Sequence, residues 1–252
     1  MEPVQYRASA GVARITLQRP EKRNALDPES IVALRQALAS AAIQQDVRIV
    51  LLAGAGKDFC AGLDLKALDE ASGSDVLGHL ESARQFGDLI LDIRRHPHPV
   101  IAAVQGRALA GGAGLATASD LILASESASF GYPEVKIGFV PAIVAALLRR
   151  SVGEKRAFEL LASGDNISAP DAHALGLVNQ VFPDAEFERG VETFVASLAG
   201  KSASALSLLK NVLYQTDGLT LEKAVEAAVH TNALARMTGD AQRGFEKFVK
   251  KS

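Results

Sequence analysis

Cysteine and excess charge are scarce in this chain, and each shortage excludes a class of protein. The 252 residues include a single cysteine, Cys60. Neither an internal disulfide nor a cysteine-based metal site can therefore form. Basic and acidic side chains nearly balance, 27 against 29, and leave a formal net charge of −2. Such a balance offers no general attraction to nucleic acid or to an acidic membrane surface.

Long apolar runs are also lacking. The longest lies around residues 139–148, is interrupted by Pro141, and is roughly half the length of a membrane span. The opening stretch MEPVQYRASA has no apolar centre of the kind that signal peptides carry. We therefore expect a soluble, cytoplasmic protein with no membrane or nucleic-acid partner.

The apolar patterning predicts an α/β protein. Residues 12–17 alternate as a strand does, whereas 49–53, 100–104 and 121–124 are continuous apolar runs, typical of strands covered on both faces. Between them lie helical patterns such as the one that begins at Asp27-Pro28 and continues to about Gln45. Buried strands that alternate with helices indicate a parallel sheet.

The character of the chain changes after about Val181, where strand patterns end. Four helical patterns follow, over residues 185–198, 203–214, 221–237 and 240–250. This stretch is too thin to bury a core alone, so we expect it to pack on the core or on another subunit. The predicted division is a core of residues 1–182 and a C-terminal helical region, 183–252, used for oligomerisation.

Three glycine-bearing segments follow the three buried strands. They read FCAGLDLK (59–66), LAGGAG (109–114) and FGYPEVKIG (130–138). Ligands of parallel sheets bind beyond the carboxyl ends of the strands, where free backbone N–H groups can stabilise a developing oxyanion. Glu134 is the carboxylate set inside such a turn, and it can transfer protons.

These three segments, in this order, resemble the crotonase superfamily, also called the enoyl-CoA hydratase/isomerase family. Supporting segments are RP with NAL (19–26), ISA with ALGLV (167–178), and Asp240 with Gly244-Phe245 and Phe248. The resemblance spans nearly the whole chain. It implies a crotonase-like ββα spiral core, a C-terminal helical region, and a homo-oligomer that is a trimer or a hexamer.

The resemblance also assigns site residues by matched position. It implies that the amides of Leu63 and Gly111 form an oxyanion hole for an acyl-CoA thioester, with Glu134 as the acid/base. The positions it assigns to acyl-CoA binding are Ala25, Ala61, Asp64, Leu65, Lys66 and Gly112, together with Phe248 and Lys251 near the C-terminus. It implies no metal and no cofactor other than the CoA of the substrate.

One departure from the family pattern bears on the reaction. Family hydratases carry a second glutamate at the position of Gly114 here, and we expect this glycine to leave room at that place. With one glutamate, the expected reaction is addition of water to a 2-enoyl-CoA, including methylglutaconyl-CoA-like substrates. The alternatives are 3-enoyl-CoA to 2-enoyl-CoA isomerisation and, from another class, a non-catalytic acyl-CoA-binding protein.

Other reactive side chains are expected to be structural. Cys60, His96 and His98 lack the partners that catalysis or metal binding requires. A second proton-transfer group can still lie in the segment of residues 68–95. Its candidates are Asp69, Glu70, Asp75, His79 and Asp88.

Overall fold

A computed structural model describes residues 2–70, 73 and 75–250. Its strands are β1 (Val4–Ser9), β2 (Val12–Leu17), β3 (Ile49–Gly54), β4 (Val100–Val104), β5 (Arg107–Leu109), β6 (Leu121–Ser125), β7 (Ser129–Gly131), β8 (Asn166–Ser168) and β9 (Gln180–Phe182). The main sheet has the order β1-β2-β3-β4-β6-β9. β1 and β2 pair antiparallel, and every following neighbour pair is parallel. The predicted parallel sheet is confirmed.

A smaller sheet, in the order β5-β7-β8, lies beside the main one. Its strands are three residues long, too short for alternation to reveal them in the sequence. β5 and β7 are each joined to the end of a main-sheet strand by a short turn. The smaller sheet thus lies where the glycine-bearing segments meet.

Helices connect and cover the strands. They are α1 (Pro28–Ile43), α2 (Leu65–Glu70), α3 (Val76–Arg95), α4 (Gly111–Ala118), α5 (Ala142–Val152), α6 (Glu154–Ser163), α7 (Ala169–Ala174), α8 (Phe187–Ala199), α9 (Ala203–Gln215), α10 (Leu221–Met237) and α11 (Gly239–Val249). α1 begins where predicted, since the Asp27 carboxylate accepts a hydrogen bond from the Ser30 N–H at 2.9 Å and Pro28 is the first helical residue.

The main sheet is buried on both faces, which explains the unbroken apolar runs of its strands. One face, with Val50 and Leu52, joins the large core formed with α1, α3 and α4. The other face, with Ile49 and Leu51, packs against the apolar side of α8. Alternate residues of one strand therefore enter different cores.

The C-terminal helices differ in how they pack. α8 belongs to the second core, whereas Lys210 is the buried residue within α9–α11. Leu213, Val229 and Met237 are between 59% and 74% exposed, so this chain alone leaves an extensive apolar surface there. In the part of the chain that the structure describes, no helix has the length and hydropathy of a membrane span.

Candidate active site

The loop after β3 presents the amide of Leu63. Leu26 forms a parallel bridge with Leu63, in which the Leu26 N–H donates to Gly62 O and the Asp64 N–H donates to Leu26 O, both at 2.8 Å. In this pattern the N–H of the bridged residue points away from its partner strand. The Leu63 N–H is thereby turned from Leu26 toward the start of α4.

The second amide belongs to Gly111, the first residue of α4. The preceding residue, Ala110, has φ 50° and ψ −125°, a conformation that costs a residue with a side chain about 1–3 kcal/mol. Its N–H donates to Gly131 O at 2.8 Å, which ties this turn to β7. Strain of this kind at a helix start aims the first N–H outward, with the positive end of the helix dipole behind it.

The two amides are neighbours. A Cβ built on Gly111 would lie 3.5 Å from Leu63 N. Among the backbone hydrogen bonds of the described residues, neither the Leu63 N–H nor the Gly111 N–H is a donor. Two unpaired, preorganised donors on one wall are suited to an oxyanion that forms during a reaction.

Glu134 lies in a short 3₁₀ helix, residues Pro133–Ile137, that Gly138 ends at φ 74°. The carboxylate is half-buried, and its Oε2 atom has no hydrogen-bond partner in the structure. Burial raises the pKa of Glu134 above its ordinary value. A carboxylate with one unpartnered oxygen and a raised pKa is poised to take and return a proton.

A buried phenol lies two residues before Glu134 and is hydrogen-bonded elsewhere. Tyr132 is fully buried, with its hydroxyl 3.1 Å from Thr117 Oγ1. Thr117 itself donates to Ala113 O at 2.7 Å, so it must accept the proton of Tyr132. Burial also raises the pKa of Tyr132. The phenol therefore stays neutral and donates its hydrogen bond to Thr117, not to Glu134.

Leu63, Gly111 and Glu134 line one cavity of about 340 Å³. Its walls are Leu63, His79, Ser82, Ala83, Phe86, Gly111, Glu134, Phe139, Val140, Pro141, Ala142, Ile143 and Val144. The α3 residues among them recur at positions i, i+3, i+4 and i+7, the spacing of one helical face. Glu134 apart, the polar side chains of this lining are His79 and Ser82, so the cavity suits an apolar group attached to a polar one.

The expectation that Gly114 leaves room was wrong. A Cβ added there would lie 2.7 Å from Val144 Cγ2 and 3.5 Å from Phe86 Cζ. Side chains of α5 and α3 thus crowd the point at which a side chain on residue 114 would begin. Gly114 is a close-packing glycine, and the apolar side chains of Phe86 and Val144 stand beside it.

Only some of the predicted acyl-CoA positions near the Leu63 loop lie close to one another. The Ala61 N–H donates to Arg23 O at 3.0 Å, and the Ala25 carbonyl accepts from Arg19 at 2.5 Å. Leu65 and Lys66 are exposed at the start of α2. Asp64 is half-buried, and its carboxylate forms ion pairs with Arg19 and Lys22. These ion pairs already satisfy the carboxylate.

The other predicted acyl-CoA positions lie elsewhere. Gly112 is buried, and a Cβ there would lie 2.2 Å from Cys60 O, so this glycine permits close packing of α4 on the Leu63 loop. Phe248 is 77% exposed on α11. Lys251 lies outside the described residues. Gly112 and Phe248 are absent from the cavity lining, and the role of all three in acyl-CoA binding remains a prediction.

Of the candidates for a second proton-transfer group, His79 lines the cavity. Asp75 caps α3 by accepting from the Gly78 N–H at 2.9 Å, and Asp88 lies 3.8 Å from Arg35. Asp69 is exposed on α2. Glu70 ends α2, and its side chain is outside the described part of the structure.

The reactive side chains expected to be structural are placed as such. Cys60 is fully buried, and burial raises its pKa to about 12, which removes it as a nucleophile near neutral pH. His96 is buried between Leu38 O, 3.1 Å from Nε2, and the His98 N–H, which donates to Nδ1 at 3.1 Å. Within the described residues, no three or more His, Cys, Asp or Glu side chains form a group that could hold a metal ion.

The residues of the site that were not predicted include Phe86, Ala110 and Val144. Phe86 and Val144 belong to helices whose apolar faces could be read from the sequence, yet which apolar residue meets the glycines depends on tertiary packing. The positive φ of Ala110 has no sequence signal, since alanine rarely adopts it.

The chain belongs to the enoyl-CoA hydratase/isomerase family, whose sequence model matches residues 7–252. It is therefore an enzyme of the hydratase or isomerase type. A Thermus thermophilus protein named "Putative enoyl-CoA hydratase" is 41% identical over 243 residues, 95% of each chain. Human "Enoyl-CoA hydratase domain-containing protein 3, mitochondrial" is 33% identical over 253 residues, 99% of this chain and 82% of that protein.

Solved structures agree with the sequence relatives. An enoyl-CoA hydratase of Mycobacterium smegmatis has a TM-score of 0.95 at 34% identity, with 100% of this chain and 97% of that chain covered. Human enoyl-CoA hydratase domain-containing protein 3 has a TM-score of 0.93 at 31% identity, covering 99% and 98%. The crotonase-type α/β fold expected from the sequence is confirmed.

Proposed function

We propose that this enzyme adds water to a 2-enoyl-CoA thioester, with Glu134 as its one acid/base. The Glu134 carboxylate takes a proton from water as the water oxygen bonds to C3, and the thioester oxygen becomes an enolate oxyanion. The amides of Leu63 and Gly111 stabilise this oxyanion. Glu134 then returns a proton to C2, which regenerates the thioester and gives a 3-hydroxyacyl-CoA.

The observation that carries this proposal is the arrangement of one cavity. Two amides without acceptors and the side chain of Glu134, one of whose carboxylate oxygens has no partner, belong to the residues that line the same 340 Å³ space. Donors aimed at developing charge are the largest single contribution to many enolate-forming reactions, and an acid/base of raised pKa supplies the proton transfers. The apolar walls suit an apolar acyl chain better than methylglutaconyl, whose terminal carboxylate needs a polar partner.

The second candidate is 3-enoyl-CoA to 2-enoyl-CoA isomerisation, in which one base takes a proton at C2 and returns it at C4. The packing of Phe86 and Val144 against Gly114 favours it, because apolar side chains occupy the place of a second water-activating carboxylate. Both candidates use the same oxyanion hole and Glu134.

Three further features belong to the proposal. The reaction needs no metal and no cofactor besides the CoA of its substrate. The exposed apolar side chains of α9–α11 support assembly of copies of this chain into a trimer or a hexamer, with Phe248 and Lys251 near a neighbouring CoA. A single buried thiol is compatible with the reducing conditions of the cytoplasm.

The test is to incubate the purified protein separately with a 2-enoyl-CoA, methylglutaconyl-CoA and a 3-enoyl-CoA, and to follow the absorbance of the conjugated thioester. Loss of absorbance with either conjugated ester supports hydration. A gain with the 3-enoyl ester and no loss with the others would replace hydration by isomerisation. No change with any ester would refute both.

A further inference from the structure

The side chain of Arg19 joins the two segments that hold the Leu63 amide. Its Nη1 atom donates to Ala25 O at 2.5 Å, while Nη2 lies 3.0 Å from Asp27 Oδ2 and 3.2 Å from Asp64 Oδ2. The arginine side chain is only 13% exposed. One planar guanidinium therefore contacts residues 25 and 27 on one side and residue 64 on the other.

The bridge between Leu26 and Leu63 lies between these contacts. Its two hydrogen bonds fix the peptide groups on both sides of Leu63, and so they fix the direction of the Leu63 N–H. Arg19 contacts the residues before and after Leu26, and the residue after Leu63. Separation of the two segments would rotate this amide away from Gly111.

Charge interactions of Asp64 stabilise the same arrangement of the two segments. Asp64 also lies 3.5 Å from Lys22 Nζ, and its Oδ1 accepts from the Lys66 N–H at 3.1 Å. Burial acts to raise the pKa of Asp64, but the hydrogen bonds from Arg19 and Lys66 and the nearby positive charges outweigh it and lower that pKa. The Asp64 carboxylate therefore stays ionised and paired, and it stabilises the loop that carries Leu63.

We propose that Arg19 is a positioning residue of the oxyanion hole, acting through Asp64 and the Leu26 bridge on the direction of the Leu63 N–H. The inference rests on the proposed function, because it concerns the oxyanion of that reaction. Lysine cannot replace the contact fully, since a compact ammonium does not have the planar fork of a guanidinium.

The test compares Arg19→Ala, Arg19→Lys and Arg14→Ala. Arg14 is a matched control, because its guanidinium pairs with Glu192 on α8 and neither residue lines the cavity. Loss of a whole oxyanion donor costs about 100- to 1,000-fold in kcat. We expect Arg19→Ala to lower kcat about 10- to 100-fold with KM within threefold, Arg19→Lys to recover part of it, and Arg14→Ala to stay within twofold.

A spectroscopic readout separates positioning from general loss of structure. Bound acetoacetyl-CoA should show an enolate absorbance that the two amides stabilise, weaker in Arg19→Ala than in Arg14→Ala at saturating ligand. Unchanged kcat and absorbance in Arg19→Ala, or a rise in KM alone, would overturn the proposal. If Arg19→Ala does not fold, the same comparison is made with Arg19→Lys.

This readout also distinguishes the two proposals. A wild-type protein that turns over no enoyl-CoA but forms the enolate band would refute the proposed function, and the Arg19 variants would still test the positioning role. A wild-type protein that binds acetoacetyl-CoA without an enolate band would overturn both, because no working oxyanion hole would exist.

Discussion

Replacement of Gly114 by alanine should destabilise the protein, although alanine is the better helix former by about 1 kcal/mol. The added Cβ would lie 2.7 Å from Val144 Cγ2, about 1 Å inside the normal contact distance of two carbons. Val144 is 2% exposed and β-branched, so its side chain has one strongly preferred rotamer in the helix and turns aside only at a cost. Overpacking costs about 1–3 kcal/mol, and after the helix gain of about 1 kcal/mol is subtracted a net loss of up to about 2 kcal/mol remains.

The assay is urea unfolding of Gly114→Ala, Val144→Ala and the double variant. Val144→Ala removes two methyl groups and makes room for the new Cβ, so the double variant should be more stable than the sum of single effects by about 1 kcal/mol or more. Gly87→Ala is the control, since its Cβ would meet Ile143 Cδ1 at 3.9 Å and nothing closer. Gly87→Ala should raise the free energy of unfolding by up to about 1 kcal/mol.

The reasoning would be refuted by a neutral or stabilising Gly114→Ala with a coupling energy below about 0.5 kcal/mol. Room would then exist beside Gly114, and a second group or a water molecule could occupy it. Destabilisation relieved by Val144→Ala would instead establish that α5 closes this side of the site.

Two predictions concern pH. Burial raises the pKa of Glu134 above its ordinary 4.5, and Glu134 must be ionised to act as a base. We therefore expect kcat/KM to rise with pH through an apparent pKa above 4.5. A pH–rate profile that is already flat at pH 4.5 would contradict this. Burial lowers the pKa of His96 from 6.5 to about 4, so below pH 6.5 the unfolded chain binds a proton that the folded one does not. Between pH 6.5 and 4 the unfolding free energy should fall by about 3 kcal/mol through His96, and urea titrations of His96→Asn should show a smaller fall; an equal fall would exclude His96 as the cause.

Much of the fold could be predicted because its signals are local. Continuous apolar runs marked β3, β4 and β6, and the cap at Asp27 marked the start of α1. The helix over Leu221–Met237 was predicted to the residue, and in the structure Thr220 caps its start. β1 was not predicted, although its six residues pair with β2.

The candidate site was predictable where chemistry depends on backbone and not where it depends on packing. The glycine-bearing segments and Glu134 stood out because they followed predicted strands, and the resemblance to the family then assigned Gly111 within its segment. The role of Gly114 was misjudged, because the side chain that fills its surroundings comes from α5, about thirty residues later. Arg19 carried no signal at all, since a charged loop residue in sequence gives no sign of the carboxylates it will bridge.

The measurement that tests the central claim most directly is the turnover of Glu134→Gln on the preferred enoyl-CoA, together with its affinity for the same ester. Glutamine keeps the shape but cannot transfer the proton, so kcat should fall about 100- to 10,000-fold while the dissociation constant changes less than threefold. Turnover within tenfold of wild type would show that another group moves the proton. Glu134 would then not be the acid/base of this enzyme.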